Sequence, residues 1–324
     1  MRYNRTMERN LGNPERDTDA MQTVNTPISQ AGGLAFSIAA VAFLVVGFVI
    51  GLIVLFFKIP EKTDLYVYLS YLAAPVALGG TVAFIVKQKK LPIKETFPVK
   101  CHPKYYLIGL LLIFGLLFFA AMADAPVIEL FKLMGYKPRP SESYFPTLTG
   151  GWVVLALLVI AVSPAIFEEA LFRGVILNTC EKSMGTVRTV FVVGFAFALF
   201  HGSPEQTVYQ FITGCALAFI ALRSGSILPS VMMHFINNAL IVIFAACGLF
   251  DEAGNLVMSD TANIIITVLA GLCFFGSIIW LILDKKQKPV LKCQKGGVKA
   301  FFLFASVGIA VMGLSWILSF FISG

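Results

Sequence analysis

The sequence predicts an all-α, polytopic integral membrane protein, and three observations predict it. Of 324 residues, 58% are hydrophobic and 13% charged, too little polar surface to cover a soluble globule of this size. Apolar runs of about 20 residues, the length that crosses a bilayer as helix, recur along the chain. The basic residues sort into two sets that alternate between these runs, as the positive-inside rule requires.

The runs fall at 31–57, 65–86, 105–122, 227–249, 261–283 and 300–322, with three less regular ones at 150–180, 187–203 and 207–222. They predict about eight or nine crossings around a cavity that opens to the cytosolic side. The first thirty residues hold few apolar side chains and no helical period, which predicts a mobile tail. The first run is too long for the apolar core of a secretory signal, so it is read as a retained anchor. Between the third run and residue 150, "PRPSES" and the amphipathic "VIELFKLMG" predict a segment lying on the outer surface. From residue 150 the helices are interrupted by Pro164, Gly202 and Pro204, and polar residues enter at membrane depth. The expected organisation is a polar tail at 1–30, scaffold helices at 31–149, the candidate active core at 150–250 and C-terminal scaffold helices at 251–324.

With nine crossings and the N-terminus inside, 19 of the 25 Lys and Arg fall on inside segments. These are Arg2, Arg5, Arg9 and Arg16, six lysines in 87–104, Lys182, Arg188, Arg223 and six lysines in 285–299. Five fall outside: Lys58, Lys62, Lys132, Lys137 and Arg139. This asymmetry predicts a bacterial-type plasma membrane with a cytoplasmic N-terminus. It also accounts for the net charge of +7 as topology, leaving no role for nucleic acid. Six scattered cysteines without a CxxC pair suggest neither a disulfide framework nor a zinc knuckle.

An ionisable side chain at the centre of a bilayer helix costs about 2.5–3.5 kcal/mol on insertion scales, so such residues face the protein interior and serve a task. "SPAIFEEALFRGVIL" places three of them together. Glu169 and Arg173 are spaced i, i+4 with the acid first, the favourable order for pairing on one face. Glu168 is turned about 100° away and is left available. Pro164 removes the backbone bond to the Ile160 carbonyl, one turn before the glutamates. "FALFH" sets Phe197 and His201 one turn apart at a helix end, and "HFINN" sets His234 and Asn238 on one face of another helix. The third histidine, His102, sits in the lysine-rich loop. Counted from their cytosolic ends, Glu168, His201 and His234 all lie roughly 17–20 Å deep at about 1.5 Å per residue. Two histidines and a glutamate could also supply three ligands to a catalytic zinc, although no HExxH helix is present.

The motifs "EEALFR" (Glu168 to Arg173), "FALFH" (Phe197 to His201) and "HFINN" (His234 to Asn238) resemble, in order, those of the CAAX protease and bacteriocin-processing family. That family includes the type II CAAX prenyl endopeptidases. The resemblance covers about residues 160–240. It implies an intramembrane glutamic endopeptidase in which Glu168 and His201 activate a water, His234 and Asn238 stabilise the oxyanion, and Glu169 and Arg173 support the site. It further implies catalysis without a metal or other cofactor, acting on a peptide or lipidated-peptide substrate, CAAX-like or bacteriocin-like, within membrane lipid. A desolvated carboxylate is a stronger base than an exposed one, and neutral donors suit a developing oxyanion. Two alternatives stay open: a non-catalytic immunity or scaffold protein of the same family, and zinc in place of metal-free chemistry. A proton-coupled transporter is disfavoured, because the chain lacks paired interrupted helices in two halves. The oligomeric state is not specified by the sequence.

Overall fold

The computed structural model describes residues 28–61, 63–137, 145–251, 256–284 and 296–322. The expected tail up to residue 27, Lys62, "PRPSES" and the lysines between 285 and 295 lie outside the described residues. Helix accounts for 83% of the structure, with no strand among the described residues.

The long helices are α1 (Ser29–Phe56), α2 (Asp64–Gln88), α3 (Lys104–Phe118), α4 (Trp152–Met184), α5 (Thr186–His201), α6 (Thr207–Ser224), α7 (Leu228–Ala246), α8 (Asp260–Leu283) and α9 (Gly297–Ile322). Eight helical spans are long and apolar enough to cross a membrane. The remaining apolar helix, α5, has 16 residues, about 24 Å at 1.5 Å per residue, short of a hydrocarbon core of about 30 Å. The irregular 187–203 run is therefore a shorter helix than the other eight spans. It ends because Gly202 adopts the left-handed C-cap conformation (φ +58°), which glycine takes without strain, and Pro204 follows and cannot continue the helix. The apolar run expected at 105–122 is also broken: α3 ends at Phe118, and a 3-10 turn, Ala120–Asp124, leads into the short helix Ala125–Leu133. That helix carries the "VIELFKL" stretch and has no buried residue.

Two large apolar clusters and a small third one, Ala156, Ile160 and Val242, make the core. One joins α1, α2, α4, α5 and α9 around Phe36, Phe172, Phe197 and Phe301. The other joins α3, α6, α7 and α8 around Leu112, Leu116, Leu217 and Met233. Small residues set the closest crossings, since lipid gives helices no hydrophobic reason to associate and packing must do so. A Cβ added at Gly214 of α6 would come within 2.9 Å of Gly194 on α5. One added at Gly33 of α1 would collide with the Phe301 carbonyl of α9. The outer faces stay apolar, as on α8, where Ile264 and Leu272 are about two-thirds exposed and suited to lipid. The described cysteines Cys101, Cys180, Cys215, Cys247 and Cys273 are all free.

Helix α4 is not regular. Leu157–Val162 and Ala170–Ile176 are π-helical and bracket the α-helical stretch Ser163–Glu169. The first π stretch lies directly before Pro164, which cannot donate to the Ile160 carbonyl. The second carries Arg173. Such π insertions re-aim side chains and recur at functional sites.

One end of the bundle is strapped. The α2–α3 loop crosses it, with Phe97 seated where Gly174 has no side chain. Asn178 Nδ2 donates to the Thr96 carbonyl at 2.9 Å, and Ile227 N donates to the Pro98 carbonyl at 2.8 Å. Beneath the strap is a cavity of about 10 Å³ lined by Arg173, Leu177, Asn178 and Ile227 among others, room for a single water at most.

Candidate active site

The polar residues predicted at membrane depth meet where the two clusters join. Glu169 and Arg173 are both fully buried. Arg173 Nη1 donates to Glu169 Oε1 at 2.8 Å, and Nη2 donates to the Gly214 carbonyl at 3.2 Å. The guanidinium also lies over the Phe197 ring, 4.5 Å from its centroid, a favourable desolvated cation–π contact. The i, i+4 spacing thus produces the pair it predicts, and α6 contributes a backbone acceptor that sequence spacing cannot reveal.

Glu169 holds more than Arg173. His234 Nδ1 lies 2.9 Å from the same Oε1. A carboxylate oxygen accepts, so Nδ1 carries the proton and Nε2 turns to the other side of the ring. There it faces Glu168 Oε2 at 3.9 Å, beyond hydrogen-bond range and a separation that one water can bridge. Glu168 Oε2 is buried and receives no hydrogen bond from the protein. Glu169 Oε2 and Arg173 Nε also lack partners, but Glu169 has two strong donors on its other oxygen and Glu168 has none at comparable distance.

His201 ends α5. Its Nδ1 lies 2.8 Å from the Phe197 carbonyl oxygen; a carbonyl only accepts, so Nδ1–H donates and Nε2 keeps a lone pair. Its ring sits 4.6 Å, centroid to centroid, from Phe197, and His234 meets Phe197 edge-on at 6.0 Å. Phe197 is therefore the hub against which Arg173, His201 and His234 are all placed. The sequence marks it only as the first letter of "FALFH".

Asn238 makes a contact that its i, i+4 spacing from His234 does not foretell. Its Nδ2 donates to the Ile160 carbonyl at 3.1 Å, the acceptor left free by Pro164. The amide has a second N–H to give elsewhere. Asn237, which the motif contains but spacing does not single out, donates from Nδ2 to Asn238 Oδ1 at 3.0 Å and accepts from the Tyr209 hydroxyl at 2.7 Å. Asp124 in turn accepts from the backbone N–H groups of Val208 and Tyr209, satisfying free donors at the start of α6. An acid inside the small apolar stretch "AAMADAPV" was the available signal for Asp124.

Among the described residues, no group of three or more His, Cys, Asp or Glu side chains is arranged to hold a metal ion. His102 lies on the α2–α3 loop, where its Nδ1 accepts from the Lys104 N–H at 3.2 Å, and takes no part in the site.

The fold and the site define a membrane-embedded helical protein with a buried carboxylate and two histidines around one aromatic ring. Residues 150–240 match the family model described as type II CAAX prenyl endopeptidase Rce1-like. The matched segment holds Glu168, His201, His234 and Asn238, and over those residues the chain is similar to that family of CAAX-type intramembrane proteases. No curated protein and no solved structure matches the chain.

Proposed function

We propose that this chain is a glutamic intramembrane endopeptidase whose water is activated by Glu168 and His201. The observation that carries this reading is the difference between the adjacent glutamates. Glu169 is bound by Arg173 and His234, whereas Glu168 keeps a buried oxygen without a donor. A carboxylate held this way can take a proton from water. His201 presents a lone pair on Nε2 for the same proton path. The water oxygen attacks the peptide carbonyl carbon, its proton passes to this pair, and the pair returns a proton to the leaving amine as the C–N bond breaks. Asn238, through its second N–H, and His234, through Nε2 when that nitrogen is protonated, stabilise the oxyanion. Glu169 fixes the His234 ring and offsets its charge, and Arg173 holds Glu169 in place.

The substrate class proposed is a peptide or lipidated peptide, CAAX-like or bacteriocin-like, reached from within membrane lipid. The membrane proposed is a bacterial-type plasma membrane with the N-terminus cytoplasmic, supported by the placement of 19 of the 25 basic residues when α5 is counted as a crossing. No metal takes part in this chemistry.

Peptides released from membranes carrying the parent or Glu168→Gln protein, compared by mass spectrometry, test the reading. Products present only with the parent are expected; identical peptide sets would overturn it in favour of a non-catalytic scaffold. Activity is expected to survive prolonged chelation. Loss on chelation with return on added zinc would make Glu168, His201 and His234 ligands.

A further inference from the structure

We infer that Tyr209 and Asn237 are positioning residues that set the orientation of the Asn238 amide. The inference rests on the proposed endopeptidase reading for its kinetic consequence, though not for its geometry. The direction of every bond in the chain follows from its end. Pro164 has no N–H, so the Ile160 carbonyl loses its usual i+4 donor and accepts from a side chain instead. That oxygen can only accept, so the Asn238 atom 3.1 Å from it is Nδ2. Oδ1 therefore points the other way, and the Asn237 atom 3.0 Å from it must be a donor, Nδ2. This leaves Asn237 Oδ1 for the Tyr209 hydroxyl, which donates at 2.7 Å.

Both ends of the Asn238 carboxamide are thus pinned, and its second N–H is presented in one direction. Tyr209 is itself held by Asp124, which accepts from the N–H groups of Val208 and Tyr209 at 2.9 and 3.2 Å. A buried Asn can exchange its oxygen and nitrogen ends by turning about one bond. A flipped Asn237 sets an oxygen against Asn238 Oδ1 and turns its NH₂ to the Tyr209 hydroxyl, which must then give up its 2.7 Å donated bond and rotate to accept. Removing the hydroxyl leaves the aromatic packing in place and takes away the donor that holds Asn237 Oδ1. Misplacing a catalytic donor by about 1 Å can cost on the order of 10²-fold in rate, so loss of one orienting bond should cost about tenfold.

Two measurements test this. In protein selectively labelled with ¹⁵N-Asn, the side-chain NH₂ signal that disappears in Asn238→Ala is assigned to Asn238. Tyr209→Phe is expected to shift that signal or speed its hydrogen exchange at an unchanged melting temperature. An unaltered Asn238 signal in Tyr209→Phe would overturn the inference without touching the protease reading. Kinetically, on whichever released peptide bond the parent cleaves, Tyr209→Phe should lower kcat about tenfold with KM unchanged. In the Asn238→Ala background the same substitution should add nothing. An equal, multiplicative loss in both backgrounds would assign Tyr209 to packing alone. If Glu168→Gln proves as active as the parent, the protease reading fails while the NMR outcome still decides the orientation claim.

Discussion

Helices α4 to α7 and the helices around them solve the same membrane problem in opposite ways. In α1 and α8 the helix is regular, small residues such as Gly33, Ala35, Ala39 and Gly271 are buried, and most large apolar side chains face outward. In α4 two π stretches flank a proline, buried Arg173 donates to a backbone carbonyl of α6, and an amide of α7 donates to a carbonyl of α4. The outer helices gain stability from close packing and from a few polar contacts at their crossings, such as Ser37 Oγ donating to the Phe304 carbonyl. The central ones spend regularity to converge a carboxylate, two imidazoles and an amide on one place. The difference teaches that interruption of a membrane helix is tolerated where a neighbouring side chain takes over the freed backbone group, as Asn238 does for Ile160.

The largest expected effect is at the end of α5. His201→Ala should abolish turnover and lower the melting temperature of detergent-solubilised protein less than Arg173→Ala does, because a carbonyl bond and one ring contact at a helix end are lost. Next comes Arg173→Ala, which strands a fully buried Glu169. Leaving such a charge unpaired costs about 3–5 kcal/mol, so poor expression or a lower melting temperature is the expected result, measured before any assay of activity. Asn238→Ala removes an oxyanion donor, a change worth ~10²–10³ in turnover at comparable sites, with residual activity in single-turnover cleavage. In the outer region, Gly33→Ala drives a methyl into the Phe301 carbonyl, an overpacking cost of about 1–3 kcal/mol. It should lower thermal stability while activity per folded molecule is kept. The smallest effect belongs to Leu272→Ala on the lipid face of α8, expected within about 0.5 kcal/mol of the parent. A large kinetic effect of Gly33→Ala, or a silent Arg173→Ala, would break the division between the two regions.

Much of this division is legible in the sequence. Run length and hydropathy place the outer helices, because an apolar face against lipid needs only local composition. The Glu169–Arg173 pair follows from i, i+4 spacing, and the free Ile160 carbonyl follows from Pro164. What caps that carbonyl does not: Asn238 is 78 residues away, and no local period records a contact between α4 and α7. The π stretches escape for a related reason, since a shift of hydrogen-bond register by one residue leaves hydropathy unchanged. Spacing also places His234 beside Asn238 without revealing that its Nδ1 belongs to Glu169. The break after Phe118 was hidden because Ala120–Asp124 continues an apolar run while changing its helical type.

The central claim is that two adjacent glutamates do different work. It is tested most directly by comparing Glu168→Gln with Glu169→Gln, each by melting temperature and by single-turnover cleavage of a peptide bond that the parent cleaves. The account predicts a Glu168→Gln protein that melts like the parent and cleaves nothing. It predicts a Glu169→Gln protein that is destabilised, since Arg173 and His234 lose the carboxylate that holds both. A Glu168→Gln protein that cleaves like the parent, or one that unfolds while Glu169→Gln stays folded and active, would contradict it.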